Sequence, residues 1–364
     1  MSASPSRNRA VLPQRVAEPG ARPRIVVAEA RIPFARDGAQ LHAQSLVAQL
    51  RRRGYDAESV ALPFRGRKDQ LLDEACAWRL LNLSSSNARP IDVLIATRFP
   101  TWFARHPRKV VWLVHQHRAA YDLFGTPYSD FNDTDEDARL RARVIELDSR
   151  MLGECERIVT NAQNTADRLR RFNGIAARPV YHPPPIAHRL HSGPYGDYLL
   201  LVARLEPLKR VHLAIQAMAH VPPPTRLVIV GDGTQRAALA AQASGSPTAD
   251  RITFAGAVWG DAVVDLYAGA RGVIYVPFDE DYGYVTLEAF LAAKPIITAA
   301  DSGGPLEFVR DGENGFVCKP DSEAIAAAMS RLAADPSLAE RLGLAGQSAA
   351  RAITWDGVID TLLG

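Results

Sequence analysis

The sequence predicts two doubly wound α/β domains facing a cleft, and three observations predict it. Short apolar runs of strand length alternate with helical stretches in two separate blocks. Those runs are apolar on both faces, as strands of a parallel sheet covered on each side are. Between the blocks stands His182-Pro183-Pro184-Pro185, which continues neither a helix nor a strand. A chain of 364 residues with 47% hydrophobic residues has the length for about two domains, each with a full core.

The elements follow in order. Met1 to Arg22 is rich in Ser, Pro, Ala and Arg without periodicity and reads as a disordered tail. Arg24 to Ala28 is a buried strand. Gln40 to Arg53 is an amphipathic helix stopped by Gly54. Val60 to Leu62 is a strand and Leu71 to Leu83 a helix. Ile91 to Ala96 and Val110 to Val114 are strands, Glu136 to Arg157 a long helix, Ile158 to Thr160 a strand, and Thr165 to Arg171 a helix. The second block repeats the pattern. Its strands are Tyr198 to Val202, Leu227 to Val230, Ile252 to Phe254, Val273 to Val276 and Pro295 to Thr298. Its helices are Val211 to Ala219, Leu287 to Ala292 and Ser322 to Leu332. The expected domains are 23–184 and 197–348, with a linker at 185–196 and a terminal helix within 349–364.

Composition narrows the function. No apolar stretch approaches the ~20 residues of a membrane span, and the first residues lack the apolar core of a secretory signal. Cys76, Cys155 and Cys318 are odd in number and far apart, which argues against a disulfide framework and fits a reducing cytoplasm. No Cys/His cluster has metal-ligand spacing, so no metal is expected. Residues 1–182 hold 29 Lys+Arg against 20 Asp+Glu; the remainder holds 14 against 20. The basic half fits anionic lipid head groups or an anionic acceptor, and fits an ordinary Arg-rich surface equally well. No nucleic-acid module is recognisable, so no nucleic-acid partner is expected.

Ligands of doubly wound sheets sit at the carboxyl ends of the strands. Glu280 and Glu288 stand eight positions apart there, one on the loop and one in the first turns of the helix that follows. Backbone N–H groups around Tyr284 to Thr286 are left free to hold an anion. A carboxylate near them can accept the vicinal hydroxyls of a ribose, and a loop carboxylate can do so for a sugar ring. A solvated loop charge and a favourable helix charge account for the spacing as well. Arg204 and Lys209 end the Tyr198 strand, where cations can grip a diphosphate. Gly231 and Gly233 permit a tight turn, and the small residues around Gly256 to Val258 let a planar base lie on the backbone. His115 ends a strand of the first block, either as a cleft group titrating near neutrality or as a structural histidine. Gly38 lies in the first βα turn.

Together these residues resemble the donor domain of family-4 retaining glycosyltransferases, of GT-B architecture. The resemblance rests on Val202-Ala203-Arg204 with Lys209, Val230-Gly231-Asp232-Gly233 and Phe254-Ala255-Gly256. It continues through Tyr275-Val276-Pro277 with Glu280 and Glu288, then Gly303-Gly304-Pro305-Leu306-Glu307 with Asn314-Gly315. The order and spacing of all five motifs carry it. It covers most of residues 23–364 and thins in the N-terminal half. Ile353-Thr354-Trp355-Asp356 resembles the start of the family's last helix, which crosses back to the first domain.

The resemblance implies that Arg204 and Lys209 neutralise the donor diphosphate, Glu288 holds the ribose, and Gly283, Tyr284, Val285 and Thr286 contact phosphate and sugar. Glu280 would lie at the transferred sugar, His115 beside the reacting carbon, and Gly38 near the diphosphate. Here the family often has paired glycines, whereas this chain has Asp37-Gly38. The implied activity is retaining, metal-independent transfer of a hexose from a UDP- or GDP-linked donor, without a cofactor. The acceptor would be a glycan, glycolipid or small molecule, in cell-surface polysaccharide or glycoconjugate synthesis, in the cytoplasm or at the inner membrane face. An epimerase or a non-catalytic nucleotide-sugar binder of the same architecture are the alternatives. No G-x-G-x-x-G follows the first strand, which argues against a dinucleotide oxidoreductase.

Overall fold

A computed structural model describes residues 22–34 and 37–364; the expected tail lies outside these, apart from Arg22. The first domain contains β1 (Arg24–Arg31), α1 (Gly38–Arg52), β2 (Asp56–Pro63), α2 (Leu71–Leu80) and a small hairpin of β3 (Ser85–Ser86) and β4 (Arg89–Pro90). It continues with β5 (Val93–Ala96), β6 (Lys109–Leu113), α3 (Asp135–Leu152), β7 (Arg157–Thr160) and α4 (Gln163–Asn173). The second contains β8 (Tyr198–Val202), α5 (Val211–Ala217), β9 (Arg226–Val230), α6 (Arg236–Ser244), β10 (Ile252–Gly256), α7 (Asp261–Gly269), β11 (Gly272–Ile274) and α8 (Tyr284–Leu291). After these come β12 (Ile296–Ala299), β13 (Gly315–Cys318), α9 (Ser322–Ala334), α10 (Pro336–Arg351) and α11 (Asp356–Leu363).

Both main sheets are parallel and Rossmann-like, ordered β2-β1-β5-β6-β7 and β10-β9-β8-β11-β12-β13. In the second sheet the order reverses between β8 and β11, and in the first between β1 and β5. A crevice opens at such points, outside the carboxyl ends of the strands.

Helices cover both faces. On the second sheet Val211, Leu239, Ile325, Met329 and Leu332 fill one side, and Val263, Tyr267, Leu287 and Phe290 the other. On the first sheet Leu71, Val144, Met151 and Leu169 fill one side. The opposite side is shared by Leu46 and Leu50 of α1 with Val358, Ile359 and Leu362 of α11. The last helix therefore completes the core of the first domain. Each such aliphatic side chain contributes about 1.5–3 kcal/mol on full burial. Arg108 and Arg157 donate to the carbonyls of Leu363 and Thr361, both at 2.6 Å, satisfying groups the helix end leaves open.

Local chemistry sets the ends. The carboxylates of Asp37, Asp321 and Asp335 accept N–H bonds from the first turns of α1, α9 and α10. The helix expected over 136–157 stops at Leu152, where Gly153 supplies the cap, and β7 begins at Arg157. The helix expected over 71–83 stops at Leu80. The Asp311–Gly315 turn follows a 3-10 turn, Gly304–Glu307, and leads into β13. Helix α10 runs across residue 348, and the crossing helix starts at Asp356.

Candidate active site

Two loops meet at the β8/β11 crevice. The loop after β8 carries Arg204, then a 3-10 turn (Pro207–Lys209) that presents Lys209. The loop after β11 carries Glu280. Lys209 Nζ is ion-paired with Glu280 Oε2 and lies 3.4 Å from the Tyr275 hydroxyl, which donates to the same Glu280 oxygen at 3.0 Å. Burial works to raise the Glu280 carboxyl. The charge of Lys209, with its hydrogen bond and Arg118, outweighs burial and holds the carboxyl below its ordinary range. Arg204 is exposed beside them, close enough to Asp37 across the cleft and to Tyr275 to act on both.

The helix that follows starts three residues earlier than the sequence suggests. Gly283 adopts a φ of +82°, and a Cβ there would come 2.9 Å from Pro305 Cγ, so the left-handed start of α8 requires glycine. The early start changes the anion-binding set. The Thr286 N–H is used within the turn, donating to Gly283 O at 3.0 Å. Tyr284 and Val285 are the first-turn donors without such a bond. Glu288 sits in the second turn, where Tyr267 donates to its Oε2 at 2.7 Å. Burial pushes its carboxyl up to about 7, against the pull of the Tyr267 hydrogen bond.

Gly38, the first residue of α1, faces this helix: a Cβ on it would lie 3.8 Å from the Tyr284 ring. The Tyr284 hydroxyl is 2.7 Å from His182 Nε2, and His42 Nδ1 of α1 is 3.0 Å from the same nitrogen. The His182 ring stacks on Tyr282 at 4.7 Å, and its backbone exchanges two hydrogen bonds with the Tyr282 hydroxyl. The residue that opens the proline run is thereby locked to the start of α8.

His115 follows β6. Its Nδ1 donates to Gln116 O at 2.6 Å, and since a carbonyl only accepts, Nε2 of the neutral ring keeps its lone pair. Burial lowers its pKa against the nearby Asp281 charge. The residue beyond, His117, is buried among Phe64, Phe99 and Phe131, and burial brings its pKa down to about 4.

Gly231 follows the last residue of β9, and Gly256 and Val258 stand at and just beyond the end of β10. A Cβ on Gly231 would stand 1.8 Å from Ala203 O, so the close approach it permits is to the neighbouring loop. Its N–H is spent on Gly256 O at 2.8 Å.

Several site groups went unassigned from sequence. Asp37 accepts from Gln40 N and pairs with Arg98 at 2.8 Å. Arg118, Arg168, Asp279 and Asp281 form an ion cluster beside Glu280. Glu307 accepts from the first N–H groups of α4, those of Gln163 and Asn164, both at 2.8 Å, and from the Tyr181 hydroxyl at 2.7 Å. Asp281 flanking Glu280, and Arg118 three positions after His115, were the available signals.

Among the described residues no group of three or more His, Cys, Asp or Glu could hold a metal ion, and no helix is long and apolar enough to cross a membrane.

The family described as Glycosyl transferases group 1 matches residues 193–349. D-inositol 3-phosphate glycosyltransferase of Acidothermus cellulolyticus is 28% identical over 342 residues, covering 82% of this chain and 72% of the relative. Glycogen synthase of Mycobacterium tuberculosis is 31% identical over 218 residues, 56% of this chain and 51% of the relative. Several relatives are thus spanned only to about half their length. Among solved structures, sucrose-phosphate synthase of Thermosynechococcus elongatus superposes with a TM-score of 0.70 at 18% identity, over 92% of this chain and 96% of the other. HepE of Anabaena, solved with UDP and glucose, gives 0.64 at 17% identity over 92% and 97%. The fold is GT-B.

Proposed function

With a group 1 glycosyltransferase domain over residues 193–349 as the premise, we propose that the chain is a retaining hexosyltransferase acting on a nucleotide-diphosphate sugar. One observation carries the reading: Arg204, Lys209, Glu280 and the N-terminus of α8 converge on the crevice between β8 and β11. The donor diphosphate would lie against Arg204, Lys209 and the N–H groups of Tyr284 and Val285, where charge growing on the leaving group is stabilised without reorganisation. Glu288 would accept the ribose hydroxyls, and the backbone of Gly256 to Val258 would face the base. Glu280 would hold hydroxyls of the transferred sugar.

The reaction has the shape these groups suggest. The bond from the anomeric carbon to the diphosphate breaks, and its electron pair leaves on the phosphate oxygen. An acceptor hydroxyl attacks from the same face and passes its proton to the departing diphosphate. His115, with its Nε2 lone pair, would lie beside the reacting carbon. Two cations and a helix N-terminus supply the charge that a metal would otherwise bring, which is the ground for proposing metal independence. UDP is the first donor nucleotide to try, because the HepE structure that shares this fold was solved with it.

The basic first half supports a lipid-linked or otherwise anionic acceptor, used in the cytoplasm or at the inner membrane face. Cosedimentation with anionic vesicles that fails at low salt, or that ignores salt, contradicts the membrane part. The activity is tested with UDP- and GDP-hexoses and a panel of glycan and lipid-linked acceptors, following nucleotide release and the anomeric proton of the product. Acceptor-dependent release with the donor's anomeric configuration is the expected result. A changed donor formed without an acceptor would make the protein an epimerase.

A further inference from the structure

The segment that carries Glu280 is held from the other domain. Its backbone N–H groups belong to the second domain: Phe278 donates to Leu208 O at 2.8 Å, Asp279 to Asp301 O and Glu280 to Ser302 O, both at 2.9 Å. Glu280 O accepts from Gly304 N of the same domain at 2.8 Å, but the Asp279 and Asp281 acceptors are gripped by the first domain. Asp279 has a φ of +43°, a left-handed backbone that aspartate tolerates better than most residues. Its carbonyl receives Arg118 Nη2 at 2.5 Å and Arg168 Nη2 at 2.6 Å. Arg168 also pairs with Asp279 Oδ1 at 2.8 Å and with Asp281 Oδ1. Arg118 Nε lies 3.6 Å from that Asp281 oxygen. Asn164 Nδ2 donates to Asp279 Oδ1 and to Glu280 O, both at 2.9 Å. Within their own domain both arginines share Asp122, at 2.7 and 3.6 Å.

This is an expensive way to hold two domains together. Buried ion pairs add little net stability over apolar packing, because desolvation offsets the attraction. What an interlocked set of planar guanidinium groups, carboxylates and a carbonyl does provide is a fixed geometry. Arg118 stands three residues after His115, on the short turn Arg118–Ala120. One loop therefore carries His115 and grips the residue before Glu280.

The geometry points to Arg118 and Arg168 as positioning residues that hold the Glu280 segment of the second domain against the His115 loop of the first. This rests on the transferase reading above, and the test separates the two. Arg168→Gln and the isosteric Asp281→Asn are made in the full chain, the second serving if the first fails to fold.

Hydrogen exchange without substrate is the first arm. Exchange over residues 278–283 is expected to accelerate about tenfold or more, with β8 and β12 unchanged. Kinetics with the donor are the second. A turnover loss of about 10–100-fold is expected from a misplaced group, with the UDP or GDP dissociation constant within about threefold of wild type, and Arg168→Lys restoring part of the turnover. Unchanged exchange overturns the proposal. So does unchanged turnover, or turnover and nucleotide affinity falling together in a folded protein. If wild type itself binds no nucleotide and transfers no sugar, the transferase reading fails, while the exchange arm still decides whether the arginines hold the segment.

Discussion

The two walls of the cleft use the same kinds of residue differently. On the second-domain wall Arg204 is exposed, Lys209 and Glu280 pair with each other, and Glu280 and Glu288 accept from tyrosine hydroxyls. On the first-domain wall the polar groups are spent on one another. Arg98 holds Asp37, Arg118 holds Asp122, Gln116 bonds Asn173 and His115 bonds Gln116 O. Beneath them Asp148 is fully buried, takes bonds from Tyr121 and Trp102, and is pushed up by burial to about 7. On the reading proposed above, the second wall would receive the anionic donor, while the first holds loops in place.

Four changes sharpen or break this contrast. The largest effect is expected on the receiving wall. Lys209→Ala or Arg204→Ala should lower turnover by roughly a hundredfold or more, the cost of a lost oxyanion donor, in steady-state assays with the donor. Unchanged turnover would remove that wall's assigned role. Gly231→Ala comes next and reads out as stability. Its Cβ would overlap Ala203 O at 1.8 Å from a φ of +138°, so a loss of about 3 kcal/mol is expected in denaturant unfolding. A loss near zero would mean that the two loops separate freely and that the glycine answers to a ligand.

Glu288→Gln follows. The folded carboxyl titrates at about 7 against an ordinary value of 4.5. Its contribution is fully present below pH 4.5 and is lost as pH rises through 7. The variant should therefore gain on wild type by up to about 3 kcal/mol above pH 8 and lose that advantage near pH 4, in parallel melts. A pH-independent difference would contradict the burial of this group. The smallest effect is at the domain contact: Glu307→Ala, which uncaps α4, should cost about 1–2 kcal/mol by the same unfolding measurement.

The contrast also explains what could be read in advance. The second wall is written in short motifs on single loops, so Arg204, Lys209 and Glu280 stand out as candidates at strand ends, and the order of the motifs, through the resemblance it carries, adds Gly283. The sheets were legible because their strands are apolar on both faces. Apart from near neighbours such as Arg118 and Asp122, the first wall is made of contacts between residues far apart in the chain, such as Arg118 to Asp279, and no local pattern announces them. Helix α6 escapes because its alanine-rich stretch Ala237-Ala238-Leu239-Ala240-Ala241 shows a weak apolar period; α7 and α10 also lie outside the helices expected from sequence. The start of α8 was misplaced because Gly283 reads as a loop residue until its left-handed cap is seen.

The most direct test is calorimetric titration of UDP and GDP into wild type, Arg204→Ala and His115→Ala, each also assayed for turnover. The predicted result is a dissociation constant raised about 10–100-fold in Arg204→Ala, from the loss of a charge-assisted contact. His115→Ala should keep near-normal affinity while losing turnover. Normal nucleotide affinity in Arg204→Ala with affinity lost in His115→Ala would put the receiving wall in the other domain and contradict the account.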